Sequence, residues 1–190
     1  MHMPGHKRNA ALAPYLGALG AALTAMVCAL TAGKKKYADF QELAVSAQQD
    51  AAALKNSYLD VIDRDTEAFN GVSAVFAMPK DTEEQKAERA RAMQAALKAC
   101  TETPFEMMQL ALEALHLTKS LVGRSNASAA SDLGCAALSL KAAMQGAWLN
   151  VLINIGGITD ETFAKQYRQA GEALLAQALP LADSIYQEVL

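Results

Sequence analysis

One carboxylate, Asp65, occupies a position at which the hydrophobic pattern of the chain predicts an apolar side chain. Apolar residues recur every three or four positions around it and predict one buried helical stripe, formed by Leu54, Tyr58, Val61, Phe69, Val72 and Phe76. A carboxylate in such a lining must be paired, hydrogen-bonded or partly protonated, and a raised pKa suits a general acid or base that works near neutral pH. The pattern alone leaves two interpretations open: a proton carrier in catalysis, or a structural aspartate bonded to a Ser, Thr or Lys of a facing helix.

Two carboxamides, Asn150 and Asn154, lie one helical turn apart near the end of an otherwise apolar segment. Each offers donors and an acceptor, so the pair could read the edge of a heterocycle, and it could equally tie two helices together. Asp132 shares their helical face but precedes Asn150 by five turns, or about 27 Å, so the two cannot contact one reacting atom. Asp132 also suits the first turn of a helix, where the helix dipole favours an acid.

Three adjacent cations, Lys34, Lys35 and Lys36, follow the first apolar segment. Cations at the end of a helix complement its dipole, which is a purely structural interpretation. Because three cations exceed that need, the cluster is also a candidate to hold an anionic tail of a ligand.

Long helical patterns with short joints position these groups. The second helix is predicted from about Ala38 to Phe76, because the residue before a proline leaves the helical region. Joints or interruptions are then predicted at Asp81 with Glu84 (a capping-box variant), Thr103-Pro104 (a kink or restart), Gly123 to Ser128, Gly156-Gly157 and Pro180. The sequence therefore predicts an all-α fold, an up-and-down bundle of five to six long helices in a single domain over residues 1–190.

Composition argues against several other classes. Five Pro and eleven Gly are too few to supply the turns between the strands of a β-sandwich or barrel. A net charge of -3 does not favour a nucleic-acid partner. The cysteines, Cys28, Cys100 and Cys135, lack metal-ligand spacing, so neither a disulfide framework nor a metal site is expected, and a cytoplasmic location fits best.

The run from Asn9 to Gly33 has no charged residue, so a transmembrane helix and a signal peptide have to be considered. The run is rich in Ala and Gly, whereas membrane insertion is driven by Leu, Ile, Phe and Val. Small residues recur at helical spacing and predict a thin face for close packing, made of Gly17, Gly20 or Ala21, Thr24, Cys28 and Thr31. We therefore expect a buried core helix and no membrane.

Three stretches, Leu16 to Lys36, Asp63 to Lys80 and Asn126 to Phe163, together resemble one known family. They contain D-x-D-x-x-A-F around Asp65, MPK at 78–80, SD at 131–132 and G-A-x-L-N-V-x-I-N at 146–154. In this order, and over nearly the whole chain, they resemble the cyclodeaminase/cyclohydrolase family, which includes the C-terminal domain of formimidoyltransferase-cyclodeaminase and bacterial methenyltetrahydrofolate cyclohydrolases. Residues 1–9 depart from the family pattern, because only Pro4-Gly5 is similar to its glycine-rich P-G-G-G-S segment.

The resemblance implies a dimeric helical domain that binds a tetrahydrofolate derivative in a groove between helices, with Asp65 as the catalytic aspartate. It implies cyclodeamination of 5-formimidoyl-tetrahydrofolate, hydrolysis of 5,10-methenyl-tetrahydrofolate, or both, with no cofactor beyond the tetrahydrofolate substrate. The lysine cluster would hold the glutamate tail, polyglutamylated or not. The substrate-binding candidates are Lys34, Lys35, Lys36, Asn126, Ser131, Asp132, Asn150 and Asn154. Two rival interpretations are a non-catalytic helical module for dimerisation or folate binding, and a protein anchored through the uncharged run.

Overall fold

The computed structural model describes residues 12–190, which form five long α-helices joined by short connections. The helices are α1 (Leu12–Thr31), α2 (Gln41–Phe76), α3 (Glu83–Leu121), α4 (Ala130–Ile155) and α5 (Glu161–Glu188). Short 3₁₀ turns at Lys35–Phe40 and Ala127–Ala129 precede α2 and α4. No strand occurs in this part of the chain, and the predicted all-α class is confirmed. The atypical segment 1–9 lies outside the described residues.

Consecutive helices run antiparallel, as the short joints predict. α1 packs between α2 and α4, α3 packs against the same two helices from the other side, and α5 covers α3 and α4. Across α2 and α3, the Tyr58 hydroxyl donates to the Met107 carbonyl (3.1 Å). Nearer the turn between these helices, Arg89 Nε donates to the Val75 carbonyl (3.1 Å).

The small-residue face predicted for α1 is confirmed, since all of its members are buried. A Cβ added at Gly17 would overlap the ring of Tyr58 on α2, and one at Gly20 would overlap Leu140 on α4. Small side chains thus let α1 approach both neighbours closely. By length and hydropathy alone α1 and α4 could each span a membrane, but half of the apolar window in α1 is buried inside the bundle.

The kink or restart expected at Thr103-Pro104 is wrong, because α3 continues through Pro104 to Leu121. A proline has no N–H, so the carbonyl of Cys100, four residues earlier, loses its partner within the helix. The structure supplies a substitute from α4, where Asn154 Nδ2 donates to the Cys100 carbonyl (2.6 Å). A donor from another helix therefore compensates for the proline.

Two other local expectations need correction. α3 is capped by Thr82 rather than Asp81, with a capping box in which Thr82 and Gln85 each accept the other's backbone N–H (3.3 Å). The last helix is not interrupted at Pro180 but extends to Glu188. Asp160 caps the start of this helix by accepting the N–H of Phe163 (3.1 Å).

The two longest helices, α2 and α3, extend beyond the adjacent ends of α1 and α4. Gly146 of α4 lies beside Ala13 in the first turn of α1, so the described part of α1 begins near this level. The predicted buried stripe of α2 is correct as far as Val61 but wrong beyond it, since Phe69 is half-buried and Phe76 is 65% exposed. Asp65 therefore lies at the boundary between the packed core and a projecting α2–α3 hairpin.

Candidate active site

Asp65 is a half-buried carboxylate on α2 with no hydrogen bond or ion pair to any other residue within 12–190. Burial raises its pKa from 3.8 to about 6. The shift comes from removal of water rather than from a neighbouring charge. A carboxyl group with this pKa exchanges a proton readily near neutral pH, which is the property required of a general acid and base.

Cys100 of α3 lies near Asp65, and Asn154 of α4 contacts Cys100. Burial, assisted by the negative charge of Asp65, raises the pKa of the Cys100 thiol to about 11. The thiol is therefore protonated at neutral pH and is not a nucleophile. Because Asn154 donates to the carbonyl of this same cysteine, three helices meet at this level.

Two contacts hold Asp65 in register with α3. The guanidinium of Arg64 forms a bidentate ion pair with Glu106, with N to O distances of 2.7 and 2.6 Å. The hydroxyl of Tyr58, two turns earlier on α2, is tied to α3 as described above. Paired donors of this kind fix orientation as well as distance, so the turn that carries Asp65 cannot rotate easily against α3.

The two asparagines differ in what remains available to a ligand. Asn154 uses Nδ2 on the Cys100 carbonyl and retains its Oδ1 as an acceptor. Asn150 is half-buried, lies one turn closer to the start of α1, and makes no side-chain hydrogen bond with the described residues. The structure thus brings Asp65, Asn150 and Asn154 to the same end of the bundle.

The lysine cluster, in contrast, lies at the opposite end. Lys34–Lys36 are exposed and precede the start of α2 at Gln41. From Gln41 to Asp65 the helix rises over 24 residues, or about 36 Å. Within one protomer these lysines therefore do not share one monoglutamyl folate with Asp65, and their role in binding stays a prediction.

Asn126 lies at the lysine end and is occupied by structural hydrogen bonds. Its backbone N–H donates to Thr31 Oγ1 (2.9 Å) and its Nδ2 to the Leu30 carbonyl (3.1 Å), while its Oδ1 accepts the N–H of Ser128 (3.1 Å) and the Tyr37 hydroxyl (3.4 Å). These bonds fasten the joint before α4 to the end of α1.

Ser131 and Asp132 also lie at this end, in the first turn of α4. Ser131 is exposed and Asp132 is half-buried. They precede Asn154 by more than twenty residues, or about 33 Å along the helix. The structure does not bring them together with Asp65 in one protomer.

The chain can be compared with known proteins at this point. A family model described as formiminotransferase-cyclodeaminase matches residues 10–173. The chain belongs to this family. The match includes α1 to α4, and with them Asp65 and both asparagines.

Relatives within the family bear two kinds of names. A methenyltetrahydrofolate cyclohydrolase of Methylorubrum extorquens is 38% identical over 173 residues, covering 91% of this chain and 83% of that protein. The formimidoyltransferase-cyclodeaminase of Sus scrofa is 31% identical over 161 residues, covering 85% of this chain but only 30% of the longer pig protein. A crystal structure of formiminotetrahydrofolate cyclodeaminase from Thermotoga maritima superposes with a TM-score of 0.80 at 29% identity, covering 95% of this chain and 84% of that chain.

Sequence reasoning missed one element of the candidate site, the Cys100 backbone. A signal was available, because Pro104 must leave the carbonyl four residues earlier without its donor. An exposed amide or ordered water could have satisfied that carbonyl equally well, so the sequence did not identify Asn154 as the donor. Among residues 12–190, no three His, Cys, Asp or Glu side chains lie close enough to bind one metal ion.

Proposed function

We propose that the protein is a folate one-carbon enzyme that acts on 5-formimidoyl-tetrahydrofolate, on 5,10-methenyl-tetrahydrofolate, or on both. The observation that carries the proposal is Asp65, a half-buried carboxyl on α2 whose burial raises its pKa to about 6, close to Cys100 of α3. Membership of a family whose relatives are named for both reactions supports the choice of substrate.

In the cyclodeaminase direction, N10 attacks the carbon of the formimidoyl group on N5, which reacts in its protonated, amidinium form. A tetrahedral carbon forms, and the carboxylate of Asp65 accepts the proton that N10 releases. Protonated Asp65 then returns a proton to the exocyclic nitrogen, the bond from carbon to that nitrogen breaks, and ammonia leaves. The product is the 5,10-methenyl cation, so one carboxyl group with a pKa near neutrality serves both steps.

In the cyclohydrolase direction, water attacks the methenyl carbon as Asp65 takes one of its protons. Collapse of the resulting tetrahedral carbon breaks its bond to N5, and N5 receives the proton from Asp65. The products are 10-formyl-tetrahydrofolate and one proton released to solvent. Both directions need one proton carrier beside one carbon, which is what Asp65 offers: it is half-buried and has no polar partner within residues 12–190.

The asparagines are proposed to orient the pterin. Asn150 presents a complete carboxamide and Asn154 an acceptor oxygen, so together they offer both donors and acceptors to a heterocycle that carries both. The surrounding apolar side chains of α2 lower the local dielectric and strengthen these hydrogen bonds.

The test is to incubate the pure protein separately with the two tetrahydrofolates and to follow the near-ultraviolet absorbance of the methenyl group. Appearance of the chromophore from the formimidoyl compound shows cyclodeamination, and its accelerated loss from the methenyl compound shows cyclohydrolysis. Thermal protection by reduced folates without turnover would instead support the non-catalytic folate-binding module. The absence of both turnover and thermal protection would overturn the proposal.

We also propose that the protein is a homodimer formed through α1 and α4. These helices pack side by side, and each has an outward apolar stripe without a charged residue. The exposed members are Leu12, Tyr15, Leu19, Met26 and Leu30 on α1, and Leu138, Leu149 and Ile153 on α4. A surface of this kind suits a second copy, because one two-fold axis buries the same patch on both chains.

Sedimentation equilibrium tests the dimer. The wild type should sediment at twice the chain mass of 20.1 kDa, and Leu19→Glu should shift it towards the monomer. Lys55→Glu changes a half-buried residue of α2, outside the α1–α4 surface, and is the control that should leave the mass unchanged. A monomeric wild type, or one that sediments with lipid vesicles instead, would contradict the homodimer.

A cytoplasmic location is proposed on the strength of the cysteines. Cys135 is a free, exposed thiol, and Cys28 and Cys100 are free and buried. Thiols persist in a reducing compartment. Recovery of the protein from a membrane or an extracytoplasmic fraction of its native cells would contradict this location.

A further inference from the structure

A basic depression of about 320 Å³ lies near the turn of the projecting α2–α3 hairpin, outside the site described so far. It is lined by Lys80, Lys86, Arg89, Ala90 and Met93. Lys80 ends the MPK motif, for which the chemistry of Asp65 gives no role. Three cations in one concavity favour an anionic ligand.

Arg89 makes more contacts with the protein than the other cations in this depression. Its Nε donates to the Val75 carbonyl (3.1 Å), and its guanidinium lies over the ring of Phe76, 5.9 Å from the centroid. Its two terminal nitrogens make no hydrogen bond to any residue that the structure describes. One edge of the guanidinium is therefore fixed by protein while the terminal amines can bind a carboxylate through two parallel hydrogen bonds.

The lysines are held less firmly. Lys86 forms an ion pair with Glu83 (2.7 Å), and both side chains are largely exposed. Lys80 has no ion pair within the described part of the chain. They add positive charge around Arg89, and Lys80 is available to an anion without breaking a contact.

Helical spacing connects this depression with Asp65. Asp65, Phe69 and Phe76 lie on one face of α2, with Val72 between the two aromatic rings. Cys100, Met93 and Arg89 likewise lie on one face of α3. Because Cys100 neighbours Asp65 and Arg89 contacts Phe76, the two faces border one apolar strip. From Asp65 to Phe76, and from Cys100 to Arg89, the strip covers eleven residues of each helix, or about 16 Å.

This length can be compared with the part of a folate beyond N10. A p-aminobenzoyl group with its glutamate is about as long as four residues of extended chain, or roughly 13 Å. An arginine side chain spans the remaining few ångströms. The lysine cluster at residues 34–36, about 36 Å from Asp65, is out of reach for this group.

We propose that Arg89, with Lys80, binds the glutamate carboxylates of the substrate. The p-aminobenzoyl ring would lie on Phe69 and Val72, and further γ-linked glutamates would extend towards Lys80 and Lys86. This subsite rests on the proposed folate function. It also accounts for the 65% exposure of Phe76, whose ring supports the guanidinium of Arg89.

The test compares Arg89→Gln with the wild type on 5,10-methenyl-tetrahydrofolate as the monoglutamate, the triglutamate and the pteroate analogue that lacks glutamate. We expect KM for the monoglutamate to rise roughly tenfold with kcat nearly unchanged, as loss of a charge-assisted hydrogen bond far from the reacting carbon predicts. The variant and the wild type should have the same KM for the pteroate analogue. Lys80→Gln, at an exposed turn where folding is not at risk, should raise KM for the triglutamate more than for the monoglutamate.

Arg91→Gln is the matched control, because this exposed arginine lies two residues from Arg89 on another face of α3. Binding of 5-formyl-tetrahydrofolate, followed by calorimetry, separates the two proposals. If the wild type binds this folate and Arg89→Gln and Lys80→Gln bind it equally well, the subsite is refuted and the folate function stands. If the wild type neither binds it nor turns over either substrate, both proposals fall. A KM for the pteroate analogue that rises as much as that for the monoglutamate would also refute the subsite.

Discussion

Replacement of Asp65 by Asn should inactivate the enzyme and, at neutral pH, stabilise its fold. The amide keeps the shape of the side chain but cannot carry a proton, so turnover should fall at least about 100-fold, as expected for a general acid and base. The rate of the wild type should fall as the pH drops through about 6, where Asp65 becomes protonated and no longer acts as the base.

The effect on stability follows from the same pKa. Burial raises the pKa from 3.8 to about 6, so protonation of Asp65 stabilises the folded state. That stabilisation is complete below pH 3.8 and is lost as the pH rises through about 6. The full shift of about two pKa units corresponds to roughly 3 kcal/mol. Because the carboxyl is only half-buried, solvent screening reduces this to about 1 to 1.5 kcal/mol.

Asn at position 65 carries no charge at any of these pH values. The variant should therefore melt about 3 °C above the wild type at pH 7 to 8, and the difference should nearly vanish at pH 4. Thermal melts followed by circular dichroism at pH 4, 5, 6, 7 and 8 measure this difference. Glu67→Gln, which removes an exposed carboxylate two residues away, should change neither the melting profile nor turnover.

Two results would refute this reasoning. Turnover by the Asp65→Asn variant at the wild-type rate would show that another group moves the proton. A difference in melting temperature that stays constant from pH 4 to pH 8 would show that the ionisation of Asp65 is not coupled to folding, and the carboxyl would then be solvated like any surface acid.

The remaining predictions concern packing and the helix contacts. Gly17→Ala should lower the free energy of unfolding by about 1 to 3 kcal/mol because its Cβ has no room, whereas Gly71→Ala, with open space around it, should raise that free energy by up to about 1 kcal/mol. Urea unfolding with the opposite order would contradict the packing of α1. Asn154→Ala should cost about 1 to 2 kcal/mol in the wild type and less in a Pro104→Ala background, where the new N–H can bond to the Cys100 carbonyl. Equal costs in both backgrounds would contradict that role for Asn154.

Features that depend on local spacing could be predicted from the sequence. The small face of α1 followed from residue size at helical intervals, and Asp65 was identified because it interrupts an apolar stripe. The end of that stripe could not be predicted. It depends on the level at which the described part of α1 begins beside α2 and α4, and contacts such as Gly146 on Ala13 set this level, which no local pattern encodes.

The expected kink at Pro104 is wrong, whereas the role of the lysines stays a prediction that their distance from Asp65 argues against within one protomer. Pro104 was predicted to kink α3 because the compensating donor, Asn154, is 50 residues away in the chain. The distance from the lysines at 34–36 to Asp65 was available in the sequence. The same rise per residue that puts about 27 Å between Asp132 and Asn150 puts about 36 Å of helix between Gln41, which follows the lysines, and Asp65.

The bond from Asn154 to the Cys100 carbonyl makes one helix incomplete without another. If the last turn of α4 frayed, the Cys100 carbonyl near Asp65 would lose its hydrogen-bond donor in a region with little water. Detachment of that turn is therefore penalised at the position where the carboxyl is held. We expect the end of α4 and the middle of α3 to open together in hydrogen exchange, as one cooperative unit, so that the segments around Asp65 are either both folded or both open.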